Sequence, residues 1–209
     1  MERRQFLASL LLGPAALGAA AAAEPVILVL GDSLSAEYGL KRGSGWVALL
    51  EQRLAREKIA ARVVNASISG DTTSGGRARL PALLQQHRPS HVVIELGGND
   101  ALRGLPLEMT QGNLAAMVEA ARRAGAKVLL AGMQLPPNYG REYGERFAGL
   151  YEAVSRRQGT ALVPFLLKGV ADGPDALRLF QADRIHPTEE AQPLILANVW
   201  PELRKLLVP

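Results

Sequence analysis

The sequence predicts an α/β domain built on a five-stranded, mostly parallel sheet with helices on both faces. Two observations carry this. Short apolar, β-branched runs alternate with amphipathic segments along the whole chain. The polar, glycine-rich stretches fall directly after the apolar runs, where open parallel sheets hold their ligands.

Taken in order, residues 1–23 are set aside as a signal peptide. Arg3 and Arg4 precede an apolar run from Phe6 to Ala20, and Ala21-Ala22-Ala23 stand before Glu24-Pro25 as a small-residue cleavage site. The run is too short to span a bilayer comfortably. Arg3-Arg4-Gln5-Phe6-Leu7 resembles a twin-arginine export signal, although Sec leaders also carry paired arginines. A periplasmic or secreted domain of residues 24–209 is expected, with no membrane-integral segment once the leader is cleaved; an uncleaved N-terminal anchor is the alternative.

Strands are expected at Val26–Leu30, Arg62–Asn65, His91–Leu96, Lys127–Ala131 and Ala161–Pro164. Between them, Trp46, Val47, Leu49, Leu50 and Leu54 share one helical face. Leu114, Met117, Val118 and Ala121 share another, which stops at Gly125 as a C-cap. Further helices are expected near Arg77–Gln86, Tyr143–Arg157 and Glu189–Trp200, the last disturbed by Pro193 and Pro201.

Composition narrows the function. The 209 residues are 48% hydrophobic and 21% charged, ordinary for a globular domain. Without Glu2, Arg3 and Arg4 the mature chain keeps 22 basic and 19 acidic residues. The basic ones, such as Arg122-Arg123 and Arg156-Arg157, are scattered as solvated helix faces, so nucleic-acid binding has no support. The absence of cysteine excludes disulfides, thiolate metal sites, a cysteine nucleophile and a lipid-modified cysteine. No His-Glu-x-x-His helix, phosphate loop or dinucleotide glycine fingerprint is present, so no metal and no cofactor are expected. Gly-x-Ser-x-Gly is absent too, which argues against the α/β-hydrolase fold.

The loops after the strands carry the chemistry. Gly31-Asp32-Ser33 follows the first strand and can lift a hydroxyl above the sheet; alone, it reads first as a helix cap. Asp183 and His186, three residues apart in Asp-Arg-Ile-His-Pro, change that balance. An aspartate can orient an imidazole whose other nitrogen deprotonates serine. Ser33 and Gly70 can offer backbone N–H groups, and Asn99 its amide, to a developing oxyanion. His87, at a helix end, and His91, at a strand start, are read as structural. Leu102, Leu105, Pro106, Met133, Leu135 and Pro136 flank the third and fourth loops and are candidates for lining an acyl groove. With 5% aromatic residues, a stacked sugar platform is not expected.

Ser33 in Gly-Asp-Ser-Leu-Ser, Gly70 in Ser-Ile-Ser-Gly-Asp-Thr, Asn99 in Gly-Gly-Asn-Asp and His186 in Asp-Arg-Ile-His-Pro together resemble the SGNH (GDSL) hydrolases, across essentially the whole mature chain. VVNASISGDT, RLPALLQQHRP and LPPNYG are most similar to the periplasmic multifunctional acyl-CoA thioesterase I/protease I/lysophospholipase L1 group, also called arylesterases. The resemblance implies a flavodoxin-like α/β/α sandwich. It implies Ser33 as nucleophile, His186 as base, Asp183 as its orienter, and Ser33, Gly70 and Asn99 as oxyanion hole. It implies a monomer that takes acyl esters, thioesters or lysophospholipids. Two positions depart from the family pattern. Arg184 replaces a common glycine, which would strain a positive φ. Glu37 replaces a small residue behind the serine turn, which leaves the local electrostatics open. A carbohydrate acetylesterase would share these parts; a non-catalytic ligand-binding domain would keep the fold with a degenerate site, against which the intact set of Ser33, Asp183, His186, Gly70 and Asn99 stands.

Overall fold

In a computed structural model, residues 24–173 and 176–208 are described; the expected leader, residues 1–23, lies outside the described residues. The sheet has five strands, β1 (Val26–Gly31), β2 (Arg62–Asn65), β3 (His91–Glu95), β4 (Lys127–Ala131) and β5 (Ala161–Val163), in the order β2-β1-β3-β4-β5. Every pairing is parallel, so "mostly parallel" becomes wholly parallel. This is the flavodoxin-like strand order, with its reversal between β1 and β3. Strand boundaries agree with expectation to within one residue. β1 and β3 are apolar without alternation because both of their faces are buried.

Helices α1 (Trp46–Arg56) and α6 (Gln192–Leu207) cover one face of the sheet. Helices α2 (Thr73–His87), α4 (Leu107–Arg123) and α5 (Arg141–Gln158) cover the other, with a short α3 (Gly98–Leu102) leading into α4. The core runs through both interfaces, from Trp46 and Leu50 on one side to Leu114, Phe147 and Tyr151 on the other. Among the described residues no helix is long and apolar enough to cross a membrane.

Three helices differ from expectation. α2 starts four residues early because Thr72 caps it, accepting from the Gly75 N–H, while the buried Asp100 carboxylate takes the Thr73 N–H at 2.8 Å and the Thr73 hydroxyl. α3 replaces an expected turn; Gly97 makes the bend with φ 121°, a conformation open to glycine. α6 is preceded by a 3-10 turn, Glu189–Ala191, and runs on to Leu207. Pro193 lies in its first turn, where an N–H would have no partner, and Pro201 is tolerated beside the buried Trp200 and Leu203. His91 is structural. Its ring bonds Ser90 Oγ and the Leu206 carbonyl at the opposite end of the sheet from the polar loops, and burial lowers its pKa.

Gly132, the residue after β4, is pinned on both sides. Its N–H donates to the Val163 carbonyl and its carbonyl accepts from Leu166 N–H, both at 2.8 Å. A Cβ there would stand 2.5 Å from the Pro164 carbonyl oxygen. Gly132→Ala is expected to cost about 1–3 kcal/mol, as overpacking against backbone does, read as a lowered urea midpoint at unchanged slope. An unchanged midpoint would show that the β4–β5 corner yields freely.

Candidate active site

The polar loops meet at the carboxyl edge of the sheet. Ser33 stands on the turn after β1, and its Oγ lies 2.9 Å from His186 Nε2. His186 Nδ1 lies 2.7 Å from Asp183 Oδ2. The loop that carries both residues folds on itself: Asp183 Oδ1 accepts the N–H groups of Ile185 and His186 at 2.9 and 3.0 Å. Gln181 and His186 bond through the backbone, and Phe180 bridges to Pro187. The His186 N–H above all holds the Asp183 carboxyl down at about 2, so an anion faces the imidazole at every working pH.

Asn99 ties three loops together. Its Nδ2 donates to Asp32 Oδ2 at 2.9 Å and to the Asp71 carbonyl at 3.0 Å, which joins the loops after β3, β1 and β2. Gly70 adopts φ 78° beside Asp71, and its carbonyl accepts from Arg103 Nη2 at 2.9 Å. Arg79 reaches from α2 to bond Asp71, the Ala66 carbonyl and the Gly31 carbonyl, locking the ends of β1 and β2.

Beneath the serine turn lies a feature the residue pattern did not single out. Glu95, the last residue of β3, is fully buried. Its Oε2 accepts the Asp32 N–H at 3.2 Å and the Ser35 hydroxyl at 2.7 Å, while Ser35 Oγ in turn accepts from Trp46 Nε1 at 3.2 Å. Its Oε1 has no partner among the described residues. Burial raises the Glu95 pKa well above the usual carboxylate range, and the neighbouring Asp32 charge raises it further. Burial also raises Asp32, to about 6, against the hydrogen bonds it accepts from the Leu34 N–H and Asn99. Two close carboxyls here cannot both ionise cheaply. Glu95, deeper and with an unmatched oxygen, keeps the proton, and Asp32 is the anion that orients Asn99. A glutamate closing the otherwise apolar run His-Val-Val-Ile-Glu was the one available signal in the sequence.

A groove of about 490 Å³ opens on the β3–β5 side, bounded toward the site by Gly98, next to Asn99, and by Arg184 and Ile185, next to His186. Of the six candidate lining residues, Leu102, Met133, Leu135 and Pro136 line it. Leu105 and Pro106 lie outside that lining: Pro106 instead caps α4, its carbonyl taking the N–H groups of Met109 and Thr110, and Leu105 N–H bonds the Asp100 carbonyl. Phe165, Leu177 and Phe180 complete the wall from beyond β5, in a stretch with no sequence mark beyond ordinary apolar residues. Arg184 and Ile185 stand at the mouth.

The two departures resolve differently. Arg184 has φ 57°, the strained conformation that glycine would relieve. Glu37 also has a positive φ, 59°, but its carboxylate accepts the N–H groups of Gly43 and Gly45, bracing the loop ahead of α1 instead of facing His186. Among the described residues no group of three or more acidic or histidine side chains is placed to hold a metal ion.

Two outcomes test this electrostatic layout. An unfolded glutamate ionises near its ordinary pKa, whereas folded Glu95 keeps its proton to higher pH. Rising pH therefore favours unfolding, by at most about 1.4 kcal/mol per unit. Glu95→Gln removes that slope, so its stability relative to the native chain should improve from pH 5 to pH 8 in urea titrations; a constant difference would place the proton elsewhere. Arg184→Gly should raise stability by about 0.5–1 kcal/mol, the αL strain relieved less the added chain entropy, and a lower Tm would show that the arginine side chain stabilises the loop.

Residues 29–193 match the GDSL-like Lipase/Acylhydrolase family. The chain is 58% identical to Esterase TesA of Pseudomonas aeruginosa, covering 89% of this chain and 91% of that protein. It is 43% identical to an Arylesterase of Vibrio mimicus (91% and 94% covered) and 42% identical to Thioesterase 1/protease 1/lysophospholipase L1 of Escherichia coli K12 (90% and 87% covered). A crystal structure of TesA superposes with a TM-score of 0.84, over 87% of this chain and 99% of that one. With one family spanning most of the domain and close relatives along nearly its full length, this chain belongs to the GDSL-like lipase/acylhydrolase family.

Proposed function

We propose that this chain is an exported serine hydrolase that cleaves carboxylic esters and thioesters of medium-chain and longer acyl groups, lysophospholipids included, through an acyl-enzyme on Ser33. The observation that carries the reading is the unbroken hydrogen-bonded line Asp183–His186–Ser33 beside an apolar groove. The relatives' names, esterase, arylesterase and thioesterase/lysophospholipase, support the same reaction class.

His186 Nε2 takes the Ser33 proton as Oγ bonds to the acyl carbon. The carbonyl oxygen gains charge and is met by the N–H groups of Ser33 and Gly70 and by the Asn99 amide. Both hydrogens of Asn99 Nδ2 rest on Asp32 and Asp71 in the free protein, so one is shared with the oxyanion as it forms. His186 then gives its proton to the departing oxygen or sulfur, which leaves Ser33 acylated. Water repeats the sequence, with His186 as base, and releases the acid. Asp183 stays ionised throughout and stabilises the imidazolium. A groove of about 490 Å³ is far larger than an acetyl group needs, which favours this reading over a carbohydrate acetylesterase. The paired arginines and apolar run of residues 1–23 support export.

Hydrolysis of p-nitrophenyl esters from acetyl to palmitoyl tests the reading. Ser33→Ala should lose about 10⁴-fold or more in kcat, and Asp183→Asn about 10²–10⁴-fold. Turnover should peak beyond acetyl, and Leu135→Trp should move the peak to shorter chains. Full turnover by Ser33→Ala would remove the nucleophile; a sharp acetyl optimum would turn the reading to the acetylesterase.

A further inference from the structure

A tetrahedral carbon on Ser33 Oγ has three other substituents. The oxyanion points to Gly70 and Asn99, and the acyl chain enters the groove built on the β3, β4 and β5 loops. The leaving group must take the remaining direction, next to His186 Nε2, which protonates it. The surface there comes from the other side of β1. The Tyr38 ring lies against the His186 imidazole, centroids 4.2 Å apart and tilted by 36°, yet Tyr38 remains 50% exposed. Ile68, in the loop after β2 and two residues before Gly70, is 53% exposed. Neither lines the groove.

Both side chains are carried by fixed backbone. Gln181 Nε2 donates to the Tyr38 carbonyl at 2.9 Å and to the Pro187 carbonyl at 3.1 Å, joining the Tyr38 turn to the His186 loop. Gly39, at φ 69°, bends away so tightly that a Cβ would fall 2.1 Å from Gln181 Oε1. Ile68 N–H donates to the Gly31 carbonyl at 3.0 Å. Asn65 Nδ2 bonds the Ser35 carbonyl at 2.7 Å and holds the β2 end against the serine turn. An exposed ring held against the imidazole, with an exposed isoleucine in the loop bonded to the end of β1, offers a shelf for an apolar group.

From this we propose that Tyr38 and Ile68 form a leaving-group subsite that prefers aromatic and other flat apolar alcohols and thiols. The inference rests on the acyl-enzyme reading and specifies its second substrate half. The bond that breaks joins the acyl carbon to the leaving oxygen or sulfur, and the proton it gains comes from His186 Nε2. By reversal, an alcohol seated on the shelf gives its proton to His186 and takes the acyl group from Ser33. Stacking on Tyr38 is worth a preference of about 3–10-fold.

The test partitions one acyl-enzyme. The mature protein hydrolyses p-nitrophenyl butanoate in the presence of benzyl alcohol or methanol, and the butanoate esters formed are measured against free acid. Native protein should favour benzyl alcohol over methanol per mole of acceptor. Tyr38→Ala should cut that ratio about 3–10-fold, Tyr38→Phe should keep it, and Ile68→Asn should lower it in part. An unchanged ratio in Tyr38→Ala overturns the proposal. So does an equal fall for water, methanol and benzyl alcohol, because Tyr38 would then serve only to position His186. Ser33→Ala, assayed alongside, judges the acyl-enzyme reading by itself: turnover surviving there sinks that reading, whereas full Ser33 dependence with an unmoved ratio sinks only the subsite.

Discussion

A single buried glutamate holds up the turn that carries Ser33. Glu95 ends β3 with no exposure, and its carboxyl grips the Asp32 amide and the Ser35 hydroxyl on either side of the serine. A carboxyl so far from water is costly unless it keeps its proton or finds donors, and here it does both. Gly31 leaves it room, since a Cβ at that position would meet Glu95 Oε2 and Ser35 at 2.8 Å. Ser33 therefore sits on a turn clamped from below, which leaves its hydroxyl few alternatives to facing His186.

From that clamp the site grows outward through hydrogen bonds between loops that are far apart in the chain. Asp32, kept anionic beside the protonated Glu95, fixes the Asn99 amide; Asn99 reaches the Asp71 carbonyl; Arg79 holds Asp71. Asp100, one residue past Asn99, anchors the start of α2 and, through Thr110, the start of α4. The same short segment thus aims the Asn99 amide, the proposed oxyanion donor, and sets two helices, so the packing of the fold and the geometry of the site are coupled there. Preorganised donors of this kind act without reorganising when charge develops.

The site is two-sided because the sheet is. Strands β3 to β5 lie on one flank of β1 and carry the apolar groove, while β2 lies on the other, where Tyr38 and Ile68 are exposed in the loops after β1 and β2. Under the proposed mechanism a substrate spans the switch between them, acyl group to one side and alcohol to the other. Of the four described non-glycine residues at positive φ, Glu37 and Arg184 belong to loops that frame Ser33 and His186, while Lys58 and Arg88 follow the ends of α1 and α2. The surrounding hydrogen bonds hold these conformations against their own preference.

The sequence alone determined the strand–helix alternation, the position of each polar loop and the members of the serine–histidine–aspartate line, because each is written locally. Apolar runs report burial, glycines report turns, and Asp183 and His186 sit three residues apart within one loop. The resemblance to the SGNH hydrolases, and not the local pattern, marked Arg184 as a non-glycine in a glycine's place. Only the tertiary structure decided which distant residues meet. Glu95, Arg79 and Gln181 act across 48 to 143 positions of chain, α2 begins at Thr73 because Asp100 is there to receive it, and the groove draws Phe165 and Leu177 from beyond β5 while leaving out Leu105 and Pro106. Local pattern records what a segment buries. Which charge it buries against is settled when the five strands align and their carboxyl ends come together.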